Sequence, residues 1–84
     1  MDDWLDGNAI AGVLAEIFGR DMTTVVRGCA SCGARHEVGA HRLYRGAGLV
    51  LRCPSCGDVG LRLALADDRR LVTFQGTWSV ELST

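Results

Sequence analysis

The sequence has no lysine, one proline and no long apolar run, and these absences narrow what the chain can be. Its unbroken apolar runs are a few residues long, whereas a membrane-spanning helix needs roughly 18. The start, MDDWLDGN, is acidic and carries no basic segment ahead of an apolar run, so we expect no secretory signal peptide. We therefore expect a cytoplasmic protein without membrane contact, in a compartment that keeps thiols reduced.

Length sets the next limit. With 84 residues, 48% of them hydrophobic, the chain is typical of one globular domain and not of a disordered segment. A core this small usually depends on a metal, disulfides or a partner. We expect a single domain over 1–84, divided into an N-terminal helical segment (1–24), a central part with two cysteine motifs and a hairpin (25–58), and a C-terminal β-hairpin (59–84).

The pattern of residues 6–18 predicts an amphipathic helix. Its apolar side chains recur at helical spacing and form one stripe: Ile10, Val13, Leu14, Ile17 and Phe18. Asp6 is suited to cap the first turn, and Gly19 is suited to end the helix. We expect this stripe to pack against the C-terminal hairpin.

Two further patterns predict β-hairpins. Residues 38–44 and 49–52 form the expected strands of the first, with Gly46 and Gly48 in its turn. Residues 61–66 and 71–82 alternate between apolar and polar side chains, as half-buried antiparallel strands do, and the charged residues 67–70 form their turn. The predicted buried face contains Leu61, Leu63, Leu65, Val72, Phe74, Trp78, Val80 and Leu82. The predicted fold class is α+β, with an N-terminal amphipathic helix packed on a zinc ribbon with antiparallel β-hairpins.

All four cysteines lie in two matched motifs, CASCG and CPSCG, which contain Cys29 with Cys32 and Cys53 with Cys56. Two residues between cysteines allow one tight turn to direct both sulfurs at the same point, and four thiolates suit a tetrahedral Zn²⁺. The following glycines, Gly33 and Gly57, tolerate the positive φ that such a turn needs. The full spacing, C-x2-C-x20-C-x2-C, predicts a zinc ribbon.

Two other uses of these cysteines stay open. Each C-x-x-C could close as a redox disulfide, although no βαβ pattern surrounds either motif. The motifs also resemble the metal-binding loops of rubredoxins, which hold one iron with four thiolates and carry single electrons. Rubredoxins are typically acidic and pack several aromatic residues near the iron, whereas here the intervening stretch is rich in arginine and has Tyr44 as its one aromatic residue.

From LDGNAIAGVLAEIF through CASCG and CPSCG to the closing strand, the chain resembles a family of small zinc-ribbon proteins of unknown function from high-GC (actinobacterial) bacteria. The resemblance covers nearly the whole chain. It implies the same four metal ligands and implies no activity. His36 and His41 lie outside the pattern, which argues against either histidine as a ligand.

Catalysis has little support in the sequence. Four cysteines close a metal site, whereas a catalytic zinc keeps a position for water. We expect His36 to be a solvated loop residue and Asp67 and Asp68 to be the solvated tip of a hairpin. We therefore predict that the protein is not an enzyme.

Charge is the only guide to a partner. Residues 27–62 contain six arginines and two acidic residues, which gives a net charge of +4. The arginines include Arg27, Arg42, Arg45 and Arg52. We expect Arg42 and Arg52 to share the exposed face of a hairpin and Arg45 to lie at its turn, and these three arginines are the predicted site for a partner or a nucleic acid. Nucleic-acid affinity at physiological salt commonly rests on about 6–10 phosphate contacts, more than this patch offers. The favoured hypothesis is a protein partner, within a nucleic-acid machine such as RNA polymerase or the ribosome; direct DNA or RNA binding is the alternative.

Overall fold

The computed structural model describes residues 4–81, apart from the side chain of Leu65. It is an α+β structure with two antiparallel sheets. The strands are β1 (Leu5–Asp6), β2 (Val26–Gly28), β3 (Arg35–Glu37), β4 (Arg42–Arg45), β5 (Leu49–Arg52), β6 (Val59–Leu65), β7 (Arg70–Phe74) and β8 (Thr77–Ser79). The larger sheet has the order β1-β4-β5-β6-β7, and the smaller has the order β3-β2-β8.

The N-terminal helix forms as predicted, with a tighter first turn. Gly7–Ile10 is a 3₁₀ turn that Asp6 caps by accepting the N–H of Asn8, and the α-helix α1 follows over Ala11–Phe18. Gly19 ends it in the left-handed conformation (φ 72°), where it donates its N–H to the carbonyl of Ala15. No helix in residues 4–81 is long and apolar enough to cross a membrane.

The core lies between α1 and the larger sheet. Ile10 and Leu14 of the helix are fully buried, and Val13 packs against the same cluster. The predicted stripe is wrong at its end, because Ile17 and Phe18 are 40% and 41% exposed. The remaining buried apolar side chains come from the strands and loops around them: Met22, Val25, Val38, Leu43, Leu51, Leu61 and Leu63.

The first predicted hairpin is correct over its second strand and wrong over part of its first. β4 begins at Arg42, and Val38–Ala40 is a short 3₁₀ helix instead of strand. Its backbone bonds explain this: Val38 donates to the carbonyl of Val25, and Gly39 donates to that of Thr23. These bonds connect the segment to the loop before β2 and not to β5.

The predicted strand over residues 71–82 is two strands in different sheets. β7 pairs with β6, whereas β8 pairs with β2. Gly76 lies between them with φ 86°, and an added Cβ there would come within 2.3 Å of the carbonyl oxygen of Gly28. Glycine is therefore required at this crossing. The charged turn is correct except that Arg70 is already the first residue of β7.

The alternation within these strands is largely confirmed. Leu61 and Leu63 are buried, and Val72, Trp78 and Val80 pack against the core. Phe74 is more exposed than expected, at 39%. Phe74 still packs edge-to-face on Phe18 and on Trp78, with ring centroids 5.6 and 5.0 Å away, so the helix meets this region as predicted. The side chain of Leu65 and residue Leu82 lie outside the described part of the chain.

Candidate metal centre

Each cysteine motif is the loop of a β-hairpin. Cys29 and Cys32 lie between β2 and β3 of the smaller sheet, and Cys53 and Cys56 lie between β5 and β6 of the larger sheet. The two cysteine motifs therefore meet across the two sheets. We call residues 29–34 the first knuckle and residues 53–58 the second knuckle.

The two knuckles repeat one backbone pattern. In the first, Cys29 donates its N–H to the carbonyl of Ala34 (2.9 Å), and Gly33 donates to that of Cys29 (3.1 Å). In the second, Cys53 donates to the carbonyl of Asp58 (2.9 Å), and Gly57 donates to that of Cys53 (2.9 Å).

Both knuckle glycines have positive φ, 77° for Gly33 and 81° for Gly57. This is the conformation expected from the sequence, and it lets the chain reverse directly behind the second cysteine of each pair. Most other residue types adopt it only with strain of the backbone.

The knuckles bring all four sulfurs together. The Sγ atoms of Cys29, Cys32, Cys53 and Cys56 lie within 4.8 Å of one another. Contacts between knuckles measure 3.5 Å for Cys29 with Cys56 and 3.8 Å for Cys32 with Cys53. A tetrahedron with metal–sulfur bonds of about 2.3 Å has edges of about 3.8 Å. The cluster therefore has the size of a tetrathiolate site, which suits zinc or a single iron.

Backbone N–H groups support the sulfurs of the second knuckle. Ser55 donates to Sγ of Cys53 at 3.4 Å, and Asp58 donates to Sγ of Cys56 at 3.5 Å. Such bonds orient thiolates and stabilise their negative charge. Cys29 and Cys53 are buried, whereas Cys32 and Cys56 are exposed, so the site lies at the surface with one side covered.

The pKa values of Cys29 and Cys56 are shifted in opposite directions. Hydrogen bonds from the backbone N–H groups of Cys32 and Ser31 lower the pKa of Cys29 to about 6. For Cys56, the N–H of Asp58 lowers the pKa, but desolvation and the three neighbouring cysteine side chains together raise it to about 12. Four thiolates in this space therefore require a cation to compensate their charge.

Two side-chain bonds connect the knuckles. Ser31 of the first donates its hydroxyl to the carboxylate of Asp58, and this bond is the main reason that the pKa of Asp58 lies below its usual range. Ser55 of the second is 2.8 Å from Nε2 of His36. The prediction that His36 is a solvated loop residue is wrong, because it lies half-buried in β3 and supports the opposite knuckle. Its ring is not part of the sulfur cluster.

Arg27 is one of the six arginines that give residues 27–62 their positive charge, but its side chain is buried, with 1% exposed. Its guanidinium donates to the carbonyls of Gln75 (2.9 Å) and Val59 (3.3 Å) and to Nε2 of His41 (3.2 Å). Arginine only donates, so this Nε2 is unprotonated, and Nδ1 of His41 donates to the carbonyl of Glu37 (2.9 Å). Arg27 thus connects the strand before the first knuckle to the strand after the second.

Backbone packs directly against this guanidinium. A Cβ on Gly60 would lie 2.5 Å from its central carbon, and a Cβ on Gly76 would lie 3.2 Å from its nitrogens. Gly60 and Gly76 are the sequence signal for a buried Arg27. They lie far from Arg27 in the chain, so local sequence patterns do not connect the three residues.

The three arginines predicted as a partner site lie on or beside one hairpin. Arg42 and Arg52 are directly opposite each other in β4 and β5, as expected, and Arg45 pairs with Leu49 beside the turn. The guanidinium of Arg42 lies 4.8 Å from the ring centroid of Trp4.

A family model matches residues 1–84. The chain belongs to DUF6510, a family of unknown function. This confirms the resemblance to a family of unknown function over the whole chain. Searches of curated proteins and of solved structures found no match.

Proposed function

We propose that this DUF6510 protein is a non-catalytic zinc-ribbon protein that acts as a cytoplasmic protein-interaction module. The observation that carries the proposal is the cluster of four sulfurs within 4.8 Å, presented by two knuckles of the same backbone pattern. Cys29, Cys32, Cys53 and Cys56 are the proposed ligands of one Zn²⁺.

Four thiolate ligands complete the tetrahedral shell of zinc, and no position remains for a water molecule. The side chains around the cluster support the ligands instead of offering a reacting group: Ser31 and Asp58 bond each other, as do His36 and Ser55. A metal held in this way stabilises the fold. The hypothesis that the partner belongs to a nucleic-acid machine rests on the positive charge near the cysteines and stays a prediction.

Metal content tests the proposal against the electron-carrier alternative. Protein purified under reducing conditions should be colourless and contain one zinc per chain by elemental analysis, since Zn²⁺ has no redox chemistry and a filled d shell. The cells should be grown with both zinc and iron available. A red protein with one iron per chain would contradict the structural zinc and favour an electron carrier.

A further inference from the structure

One face of the larger sheet carries an excess of positive charge. Strand register places Arg42 opposite Arg52, Tyr44 opposite Val50, and Val50 opposite Arg62. Directly paired residues share a face of the sheet, and the leucines that alternate with them are buried in the core. We call these five residues, Arg42, Tyr44, Val50, Arg52 and Arg62, the arginine face.

In the described residues, no arginine of this face forms a side-chain ion pair. In residues 4–81 the one side-chain ion pair joins Arg70 and Glu16, and Arg70 lies outside the arginine face. Asp6 pairs with Arg42 across β1, but its carboxylate accepts the N–H of Asn8. Like charges directly opposite each other on a sheet are destabilising. The Arg42–Arg52 pair therefore gains from a bound anion.

Two of these guanidinium groups stack on aromatic rings. Arg42 lies over Trp4 at 4.8 Å, and Arg52 lies over Tyr44 at 5.6 Å from the ring centroids. Stacking engages one face of a guanidinium and leaves its in-plane N–H groups for a planar anion such as a carboxylate. Nη1 of Arg52 already donates to the carbonyl of Gly57 at 2.9 Å, so an anion would contact the other N–H groups of Arg52. Less side-chain freedom is then lost when the anion binds.

A cavity of about 380 Å³ adjoins the arginine face at the tip of the β4–β5 hairpin. Its lining combines apolar and aromatic side chains with two arginines and includes Tyr44, Arg45, Gly48, Val50, Arg62 and Ala64. Such a site accepts an apolar side chain while arginines contact carboxylates on either side of it.

We propose that the arginine face binds an acidic segment of a protein partner, with an apolar side chain of that segment in the adjoining cavity. This inference rests on the proposed function as an interaction module and names the chemistry of the partner. Three arginines on the face and Arg45 at the cavity provide fewer phosphate contacts than tight nucleic-acid binding commonly uses, and the cavity suits a side chain better than a phosphate.

A defined peptide tests the inference. The probe is a fluorescein-labelled peptide in which Glu and Asp alternate with Leu, titrated with zinc-loaded protein at about 150 mM salt. We expect saturable binding, and we expect Arg42→Gln/Arg62→Gln to weaken it at least about 10-fold, as loss of two charge-assisted contacts would. The matched control is Arg35→Gln, an exposed arginine on the smaller sheet, which should change binding less than about twofold.

The cavity is tested separately. Ala64→Glu places a carboxylate at the cavity without removing an arginine, and it should weaken binding of the leucine-containing peptide at least about 10-fold by repulsion. Replacing Leu with Ser in the peptide should have a similar effect.

Three results would overturn the inference: no saturable binding of the peptide, equal losses in the double variant and in Arg35→Gln, or tighter binding of an oligothymidine of equal length. Zinc content and near-UV circular dichroism are measured for each variant. Wild-type protein without zinc would contradict the metal proposal, whereas folded, zinc-loaded protein that fails to bind would contradict this inference alone.

Discussion

Substitution of Arg27 by methionine tests the buried network that connects the two sheets. Methionine keeps much of the apolar stem, so the main loss is the guanidinium and its three bonds, to Gln75, Val59 and His41. The carbonyl of Gln75 keeps a second donor, the indole N–H of Trp78 at 3.1 Å. Nε2 of His41 loses this donor in a buried position, and the carbonyl of Val59 loses it in a part-buried one.

A buried acceptor left without a donor costs about 1–3 kcal/mol, and the part-buried carbonyl adds a smaller cost to this. A domain of this size has about 4–13 kcal/mol of stability at roughly 0.05–0.15 kcal/mol per residue. We expect Arg27→Met to remove about 3 kcal/mol and to lower Tm by about 12 °C or more.

The assay is urea unfolding of zinc-loaded protein, followed by near-UV circular dichroism. Arg35→Met is the matched control, because Arg35 lies in the adjacent strand and is exposed; its effect should stay within about 0.5 kcal/mol. If Arg27→Met costs less than about 1 kcal/mol more than this control, the reasoning on the buried network is wrong.

Gly60→Ala provides an independent check of the same network. Its Cβ would lie 2.5 Å from the guanidinium carbon, so the guanidinium must shift. In protein that already carries Arg27→Met, Gly60→Ala should cost less than in the wild type, because the clash is gone. Equal costs in both backgrounds would show that the two residues are not coupled.

Three further outcomes are expected. Strong chelator or Cys53→Ser should abolish the near-UV signal, since structural zinc supplies about 10–16 kcal/mol; metal-free protein with an unchanged cooperative melt would contradict this. Burial, reinforced by Arg27 and opposed by the Glu37 carbonyl, lowers the pKa of His41 below its usual 6.5, so the contribution of neutral His41 to stability is complete above pH 6.5 and falls as the pH drops below it. Urea titrations from pH 8 to 5 should show a smaller loss of stability in His41→Gln than in the wild type. Equal pH dependence of the two proteins would refute the assignment. Leu14→Ala should lower the free energy of unfolding by about 2–5 kcal/mol, and the exposed control Ile17→Ala should lower it far less. Similar losses in the two variants would argue against the helix as part of the core.

Patterns among neighbouring residues in the sequence were sufficient to predict the helix and the two knuckles. Asp6 and Gly19 delimit the helical region because capping depends on residues within a few positions of each other. The two C-x-x-C-G motifs predict their own turns for the same reason, and the positive φ of Gly33 and Gly57 agrees. That four cysteines meet at one point also followed from the sequence, since they are the only cysteines and their spacing is matched.

Local sequence patterns did not predict where the strands end or to which sheet each strand belongs. The alternation over residues 71–82 continues through Gly76, and only the carbonyl of Gly28 on a neighbouring strand shows why the chain must cross there. Likewise, residues 38–40 precede the alternating residues of β4 without a break, but bonds to Val25 and Thr23 turn them into a 3₁₀ helix.

By itself, the sequence determined a capped amphipathic helix, two cysteine knuckles and an arginine-rich hairpin, all of which depend on neighbours along the chain. Only the tertiary structure decided which arginine is buried. The partners of Arg27 lie 14, 32 and 48 positions away, so no window of sequence contains the network that surrounds it. A guanidinium is stable in a core only when such distant acceptors converge on it, and that convergence is a property of the folded chain.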